Sequence, residues 1–174
     1  MFQAELTAFY QFLQTEKRYS PHTLKNYQRD LGGFVAFCQQ SDLTELDRID
    51  SQHIRSYIAQ EHRRGLSGKS IQRLLSSLRS LFRFLLRQQK ISTNPAMGIA
   101  APRSRRKLPE VLTPDDLDHL MNIREDDPLA SRDRAMMELL YGCGLRLAEL
   151  VGLDVTHIDW PQQTLRVTGK GRKQ

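Results

Sequence analysis

Residues Tyr141 to Leu153 read YGCGLRLAELVGL, and the arginine at their centre decides how the rest of the chain is read. An apolar helix pattern runs up to Leu139, Leu140 and Tyr141. Gly142 and Gly144 break it, and a second apolar pattern of Leu147, Leu150, Val151 and Leu153 begins at once. A guanidinium between two hydrophobic segments is expected to lie out of bulk water. It then needs a carboxylate, backbone carbonyls or an anionic ligand to offset its lost hydration. Arg146 is therefore either a satisfied structural cation or an anion receptor. Glu149, three residues on, supplies the carboxylate for the first reading.

Working outward, the 174 residues carry a formal net charge of +6 with a sequence pI near 9.6. Residues 1–107 hold 18 Lys and Arg against 8 Asp and Glu, whereas 108–174 hold 8 against 12. Such a split suggests two units, the first facing a polyanion. No apolar run approaches the roughly 18–20 residues of a membrane span, and the amino terminus lacks the order of a signal peptide. A soluble, cytoplasmic protein that makes no membrane contact is expected. Cys38 and Cys143 lack CxxC spacing and read as small apolar residues in a reducing compartment. The histidines (His22, His53, His62, His119, His157) show no metal-ligand spacing and read as surface or cap residues.

The first ninety residues read as four helices. Phe2, Leu6, Phe9, Tyr10 and Leu13 form a stripe at helical spacing. Ser20-Pro21 supplies an N-cap and a first-turn proline for the next helix, where Gly32-Gly33 permits close packing. Asp50 caps a third helix that Gly65 ends. On a 100°-per-residue wheel counted from Arg73, Leu74, Leu75, Leu78, Leu81, Phe82, Leu85 and Leu86 of the fourth helix fall within roughly 80° to 220°. Lys69, Arg79, Arg83, Arg87 and Lys90 fall within roughly 240° to 320°, with Arg73 beside them. One side packs and the other presents a basic stripe almost free of balancing acids, which fits phosphate contacts; a solvated face is the plainer reading. Phe84 lies on the polar side, without an evident reason.

Residues 94–109 change character, with three prolines and then Arg103, Arg105, Arg106 and Lys107, and read as an extended basic linker. Thr113-Pro114-Asp115-Asp116 opens a further helix in which Leu117, Leu120 and Met121 are expected to pack inward. Trp160-Pro161 marks a turn, Thr164 to Thr168 alternates as a strand, and Gly169-Lys170-Gly171 reads as a tight β turn with a lysine at its tip.

The run Gly144-Leu145-Arg146-Leu147-Ala148-Glu149-Leu150, Arg132-Asp133-Arg134-Ala135-Met136 before it and Gly169-Lys170-Gly171 after it resemble the first arginine box and lysine turn of the tyrosine recombinase (phage integrase) family, in its bacterial Xer branch. The likeness runs over essentially the whole chain. It implies a mainly α protein: a four-helix, SAM-like core-binding bundle over 1–92, a linker over 93–109, and over 110–174 the start of a mixed α/β catalytic domain. By the same resemblance Arg146 is the first activating arginine, Lys170 the general acid and Glu149 a supporting residue. Lys69, Arg73, Arg79, Arg83, Arg87 and Lys90, with the linker residues Arg103, Arg105, Arg106 and Lys107, become candidate contacts to double-stranded DNA. It also implies strand cutting and rejoining through a 3′-phosphotyrosyl link with no metal or other cofactor. Expected partners are a second, non-identical Xer recombinase in a heterotetramer on DNA, and a DNA translocase.

The family's His-x-x-Arg box and tyrosine nucleophile cannot be placed in this sequence, and the strand near the end lacks a hairpin partner. The expectation is a shortened chain that binds DNA without cutting it. Its rivals are a non-catalytic DNA-binding module and a helical protein-interaction scaffold with an incidentally basic face.

Overall fold

Ser20 Oγ accepts the backbone N–H of Thr23 at 3.3 Å just ahead of Pro21, and from that cap one of two twenty-residue helices of the amino-terminal half begins. The computed structural model describes residues 2–102, 111–122, 128–167 and 169. Its contacts divide the chain into two units, Met1–Arg106 and Lys107–Gln174.

The first unit is built from α1 (Gln3–Thr15), α2 (Pro21–Gln40), α3 (Ser51–Arg63) and α4 (Gly68–Arg87). Asp50 accepts the N–H groups of Gln52 and His53 at 2.8 and 3.0 Å, and His53 Nδ1 accepts the Asp50 N–H in return. Those bonds satisfy donors that the first turn of α3 would otherwise leave orphaned. Gly65, at φ +90°, closes the helix in the left-handed region. α4 packs against α1, α2 and α3. Its Ile71, Leu74, Leu75, Leu78, Leu81, Phe82 and Leu85 join Phe9, Leu13, Leu31, Phe34, Ile54 and Tyr57 in one core.

The two glycines of α2 differ. A Cβ on Gly33 would lie 2.6 Å from the Tyr57 hydroxyl, so this position sets the α2–α3 approach, whereas a Cβ on Gly32 would meet nothing within 4 Å. Tyr57 is held there by the rings of Phe34 and Phe37, at centroid distances of 5.4 and 5.1 Å.

Three expectations about this unit change. Leu86 is exposed, and Phe84 is buried against Phe9 and Phe12 at 5.5 and 5.2 Å. The buried arc of α4 thus runs from roughly 20° to 200° on the same wheel, because the aromatic residues of α1 cover one edge of it. Nor is the start of the linker extended away from the core. Ala96 and Ile99 are buried in it, as is Ile91 just before the linker, because their apolar side chains leave water for the core.

In the second unit Thr113 and Asp116 form a reciprocal capping box at the start of α5 (Pro114–Met121), followed by α6 (Ala130–Gly142) and the short α7 (Leu147–Val151). β1 (Ile158–Asp159) pairs antiparallel with β2 (Thr164–Leu165), Ile158 opposite Leu165. The strand expected over 164–168 is therefore shorter among the described residues, and its partner precedes it. Asp159 accepts the N–H of Gln162 and stabilises the turn at Trp160-Pro161. Among the described residues of this unit none is buried: Leu117 and Met121 are partly covered, and Leu120 is exposed rather than turned inward.

Candidate functional site

The basic residues of α4 fall into two groups according to where the wheel places them. Arg73 and Arg79 stand at the two margins of the buried arc, and neighbouring chain captures both. Arg73 donates from Nε and Nη2 to the two carboxylate oxygens of Asp30, each at 2.9 Å, and these bonds raise its already high pKa. Arg79 donates from Nε to the carbonyl of Ala96 at 3.2 Å and from Nη2 to that of Ile99. Arg87 is exposed, yet its guanidinium lies 4.6 Å from the centre of the Phe12 ring. Lys69 and Arg83 occupy the middle of the outward arc, exposed, with no side-chain partner among the described residues. Between them lie exposed Gln72 and Ser76, which leave the face low and polar. Lys90, expected on the same stripe, lies beyond it, because the helix ends at Arg87 and Gln89 turns left-handed at φ +55°; it too is exposed and without a side-chain partner among the described residues. Arg103, Arg105, Arg106 and Lys107 lie outside the described residues.

A second cluster surrounds Arg146, the residue before the first turn of α7. Its backbone N–H donates to Glu149 Oε2 at 2.8 Å and its Nη1 to Oε1 at 2.7 Å. Hydrogen bonding from that backbone N–H, then from the guanidinium, holds the Glu149 carboxyl below its ordinary value of 4.5. The expectation of a guanidinium withdrawn from water is not met, since the Arg146 side chain is 76% exposed while that of Glu149 is 9% exposed. An apolar flank buries a cation only when something covers it, and Tyr141, Leu147 and Val151 around Arg146 are themselves exposed. Arg146 is thus both paired and open: one carboxylate fixes its base, and Nε and Nη2 have no protein partner among the described residues. Lys170 lies outside the described residues.

Asp154 accepts the N–H and hydroxyl of Thr156, and His157 Nδ1 accepts the Asp154 N–H, so both serve as caps. No group of His, Cys, Asp and Glu able to hold a metal ion occurs among the described residues. No helix among them is long and apolar enough to cross a membrane.

Residues 6–89 match the phage integrase N-terminal SAM-like domain, and residues 110–174 match the phage integrase family. The chain belongs to the phage integrase family of tyrosine recombinases. Within that family it is 44% identical over 172 residues to tyrosine recombinase XerC of Vibrio parahaemolyticus, a match covering 99% of this chain and 56% of the relative. It is 42% identical over 170 residues to XerC of Salmonella typhi, covering 98% of this chain and 57% of the relative. This integrase-family chain therefore spans little more than half the length of these relatives. The fold is shared with the Tn1549 transposon integrase solved with circular intermediate DNA, at a TM-score of 0.69 and 21% identity over 94% of this chain and 55% of that one.

Two residues that shape the site gave no clear sign in the sequence. Asp30 lies 43 positions from the arginine it holds, and no local pattern reaches that far. Asn94, whose side chain donates to the Arg79 carbonyl at 3.1 Å, reads in the sequence only as the first residue of an extended linker.

Proposed function

We propose that this chain is the DNA-binding part, with the first catalytic arginine, of a XerC-type site-specific recombinase. The observation that carries the reading is the outward arc of α4, where Lys69 and Arg83, with Lys90 just past its end, stand exposed without protein partners among the described residues. Unpaired cations spaced along and just past one helix suit successive phosphates, giving affinity and register with strong salt dependence and little base discrimination. The DNA held by the Tn1549 integrase, a protein of this fold, supports the same partner.

Arg146 is proposed as the phosphate-activating arginine. Strand cleavage by transesterification gathers negative charge on the non-bridging oxygens of a five-coordinate phosphorus, and a planar, permanently charged fork suits two of them. Glu149 orients that fork and keeps its charge matched until phosphate arrives. A tyrosine oxygen bonds to phosphorus as the bond to the 5′-oxygen breaks, and Lys170 supplies the proton that the leaving oxygen takes. The resulting phosphotyrosyl link conserves the bond energy, so the chemistry calls for no metal or nucleotide. In the cell the reading implies resolution of chromosome dimers during segregation, in the cytoplasm, with a XerD-like recombinase completing a tetramer on DNA and a DNA translocase as a further partner.

The present chain is proposed to bind without cutting. Tyr27 is half-buried and Tyr57 buried, both with hydroxyl pKa values pushed up mainly by desolvation, and Tyr141 lies inside the arginine box itself. The test is anisotropy of a labelled duplex across a salt series, followed by denaturing electrophoresis after incubation with a nicked duplex. Expected are a steep salt slope that falls by about 0.9 for each of K69Q, R83Q and K90Q, and no covalent adduct. An unchanged slope in the triple variant removes α4 from the interface; an adduct overturns the claim that this chain does not cut.

A further inference from the structure

Arg79 sits midway along α4, one turn before Arg83, yet its guanidinium points back onto the chain that leaves the helical unit. Asn94 Nδ2 donates to the Arg79 carbonyl at 3.1 Å, and Asn94 Oδ1 accepts the N–H of Ala96 at 3.0 Å. Met97 N–H closes the turn onto the Asn94 carbonyl at 3.2 Å. Gly98, at φ +75°, then reverses the path so that the carbonyls of Ala96 and Ile99 converge on one guanidinium. Ala96 is fully buried and Ile99 nearly so, which makes those carbonyls costly to leave without a donor. With Nε and Nη2 spent on carbonyls, Arg79 cannot offer that edge of its fork to a phosphate.

We infer that Arg79 is a positioning residue: together with Asn94 it latches the segment from Asn94 to Ile99 onto α4 and so fixes where the chain leaves the helical unit. The helix proposed to track the phosphates then also sets the exit path, one turn away from Arg83. The part of the inference that concerns DNA rests on the function proposed above; the latch itself does not.

Three measurements on the full chain separate the latch from a phosphate contact. The first is side-chain NMR of arginine Nε–H groups. The Arg79 signal should resist solvent exchange and stay in place when duplex is added, while that of Arg83 shifts. The second is amide hydrogen exchange in R79Q, R79K and N94A, the last serving as a milder variant that leaves α4 intact. Exchange at Ala96 and Met97 should rise at least about tenfold in all three, since lysine's ammonium lacks the rigid planar fork with which arginine holds both carbonyls. The third is the salt slope of duplex binding, which R79Q should leave unchanged and R83Q should lower by about 0.9. Wild-type exchange at Ala96 and Met97 in R79K and N94A overturns the latch, as does an R79Q slope that falls as R83Q's does. If the wild-type chain binds no duplex, the DNA reading falls and the exchange data alone decide the latch.

Discussion

Arg73 of α4 grips Asp30 of α2 as a fork, Nε to Oδ2 and Nη2 to Oδ1, both at 2.9 Å. Asp30 is only 7% exposed, and Arg29 adds a longer contact at 3.8 Å to the same carboxylate. A carboxylate this far from water is tolerable because both oxygens accept charged donors.

R73M should therefore lower stability by about 2 kcal/mol, less than for a fully buried pair because the arginine side is 36% exposed. Urea unfolding checks this: the midpoint should fall with the slope unchanged. A midpoint equal to wild type would mean that the fork is ornamental.

Neighbouring glycines in α2 should respond with opposite signs. G32A should stabilise by up to about 1 kcal/mol, since alanine favours helix and the new methyl meets nothing. G33A should destabilise by about 1–2 kcal/mol despite the same propensity gain, because its methyl would press on the Tyr57 hydroxyl in a packed core. Paired thermal melts read the difference directly, and a shared sign would refute it.

The Arg146–Glu149 contact should carry a pH signature. The folded-state pKa of Glu149 is depressed, so its contribution is complete above the ordinary value of 4.5 and is lost as pH falls through the lower folded value. Carboxyl-detected NMR should find the Glu149 midpoint below 4.5, and R146Q should move it upward without fully restoring it, because the backbone N–H of residue 146 still donates. An R146Q midpoint equal to wild type would show that the guanidinium does not touch the carboxylate in solution.

The two cysteines should differ in reactivity. Cys38 is fully buried, with its thiol pushed up to about 12 by desolvation, whereas Cys143 is exposed. An aromatic disulfide reagent should titrate one thiol quickly in native protein and two in denaturant. Rapid loss of both under native conditions would contradict the burial of α2.

Many of the helix boundaries in both units were legible because their signals are local. Ser20, Asp50 and Thr113 announce helix starts through short polar side chains that accept N–H groups two or three residues on, and Gly65 announces an end through its left-handed backbone. What misled was anything decided by a distant surface. Phe84 falls on the polar side of its own helix, and only the Phe9–Phe12 pair of α1, more than seventy residues earlier, makes that edge apolar. Arg73 and Arg79 looked equivalent to Arg83 because a wheel cannot show that Asp30 and the Ala96 and Ile99 carbonyls wait at its two margins. Arg146 was expected to be hidden because its sequence neighbours are apolar. Burial is a property of what packs over a residue, and the sequence of α7 alone does not contain it.

Among the described residues every buried hydrophobic side chain lies between Leu6 and Ile99. Apolar hydration dominates the heat-capacity change on melting, so calorimetry of the whole chain should report a step close to that of a hundred-residue domain, about 1.2–1.5 kcal/mol/K. A chain of 174 residues packed throughout would give about 2.1–2.6 kcal/mol/K. Thermally this polypeptide then behaves as a smaller protein than its length implies, and a substitution worth 1 kcal/mol anywhere in α1–α4 should move its melting temperature by about 4–8 °C.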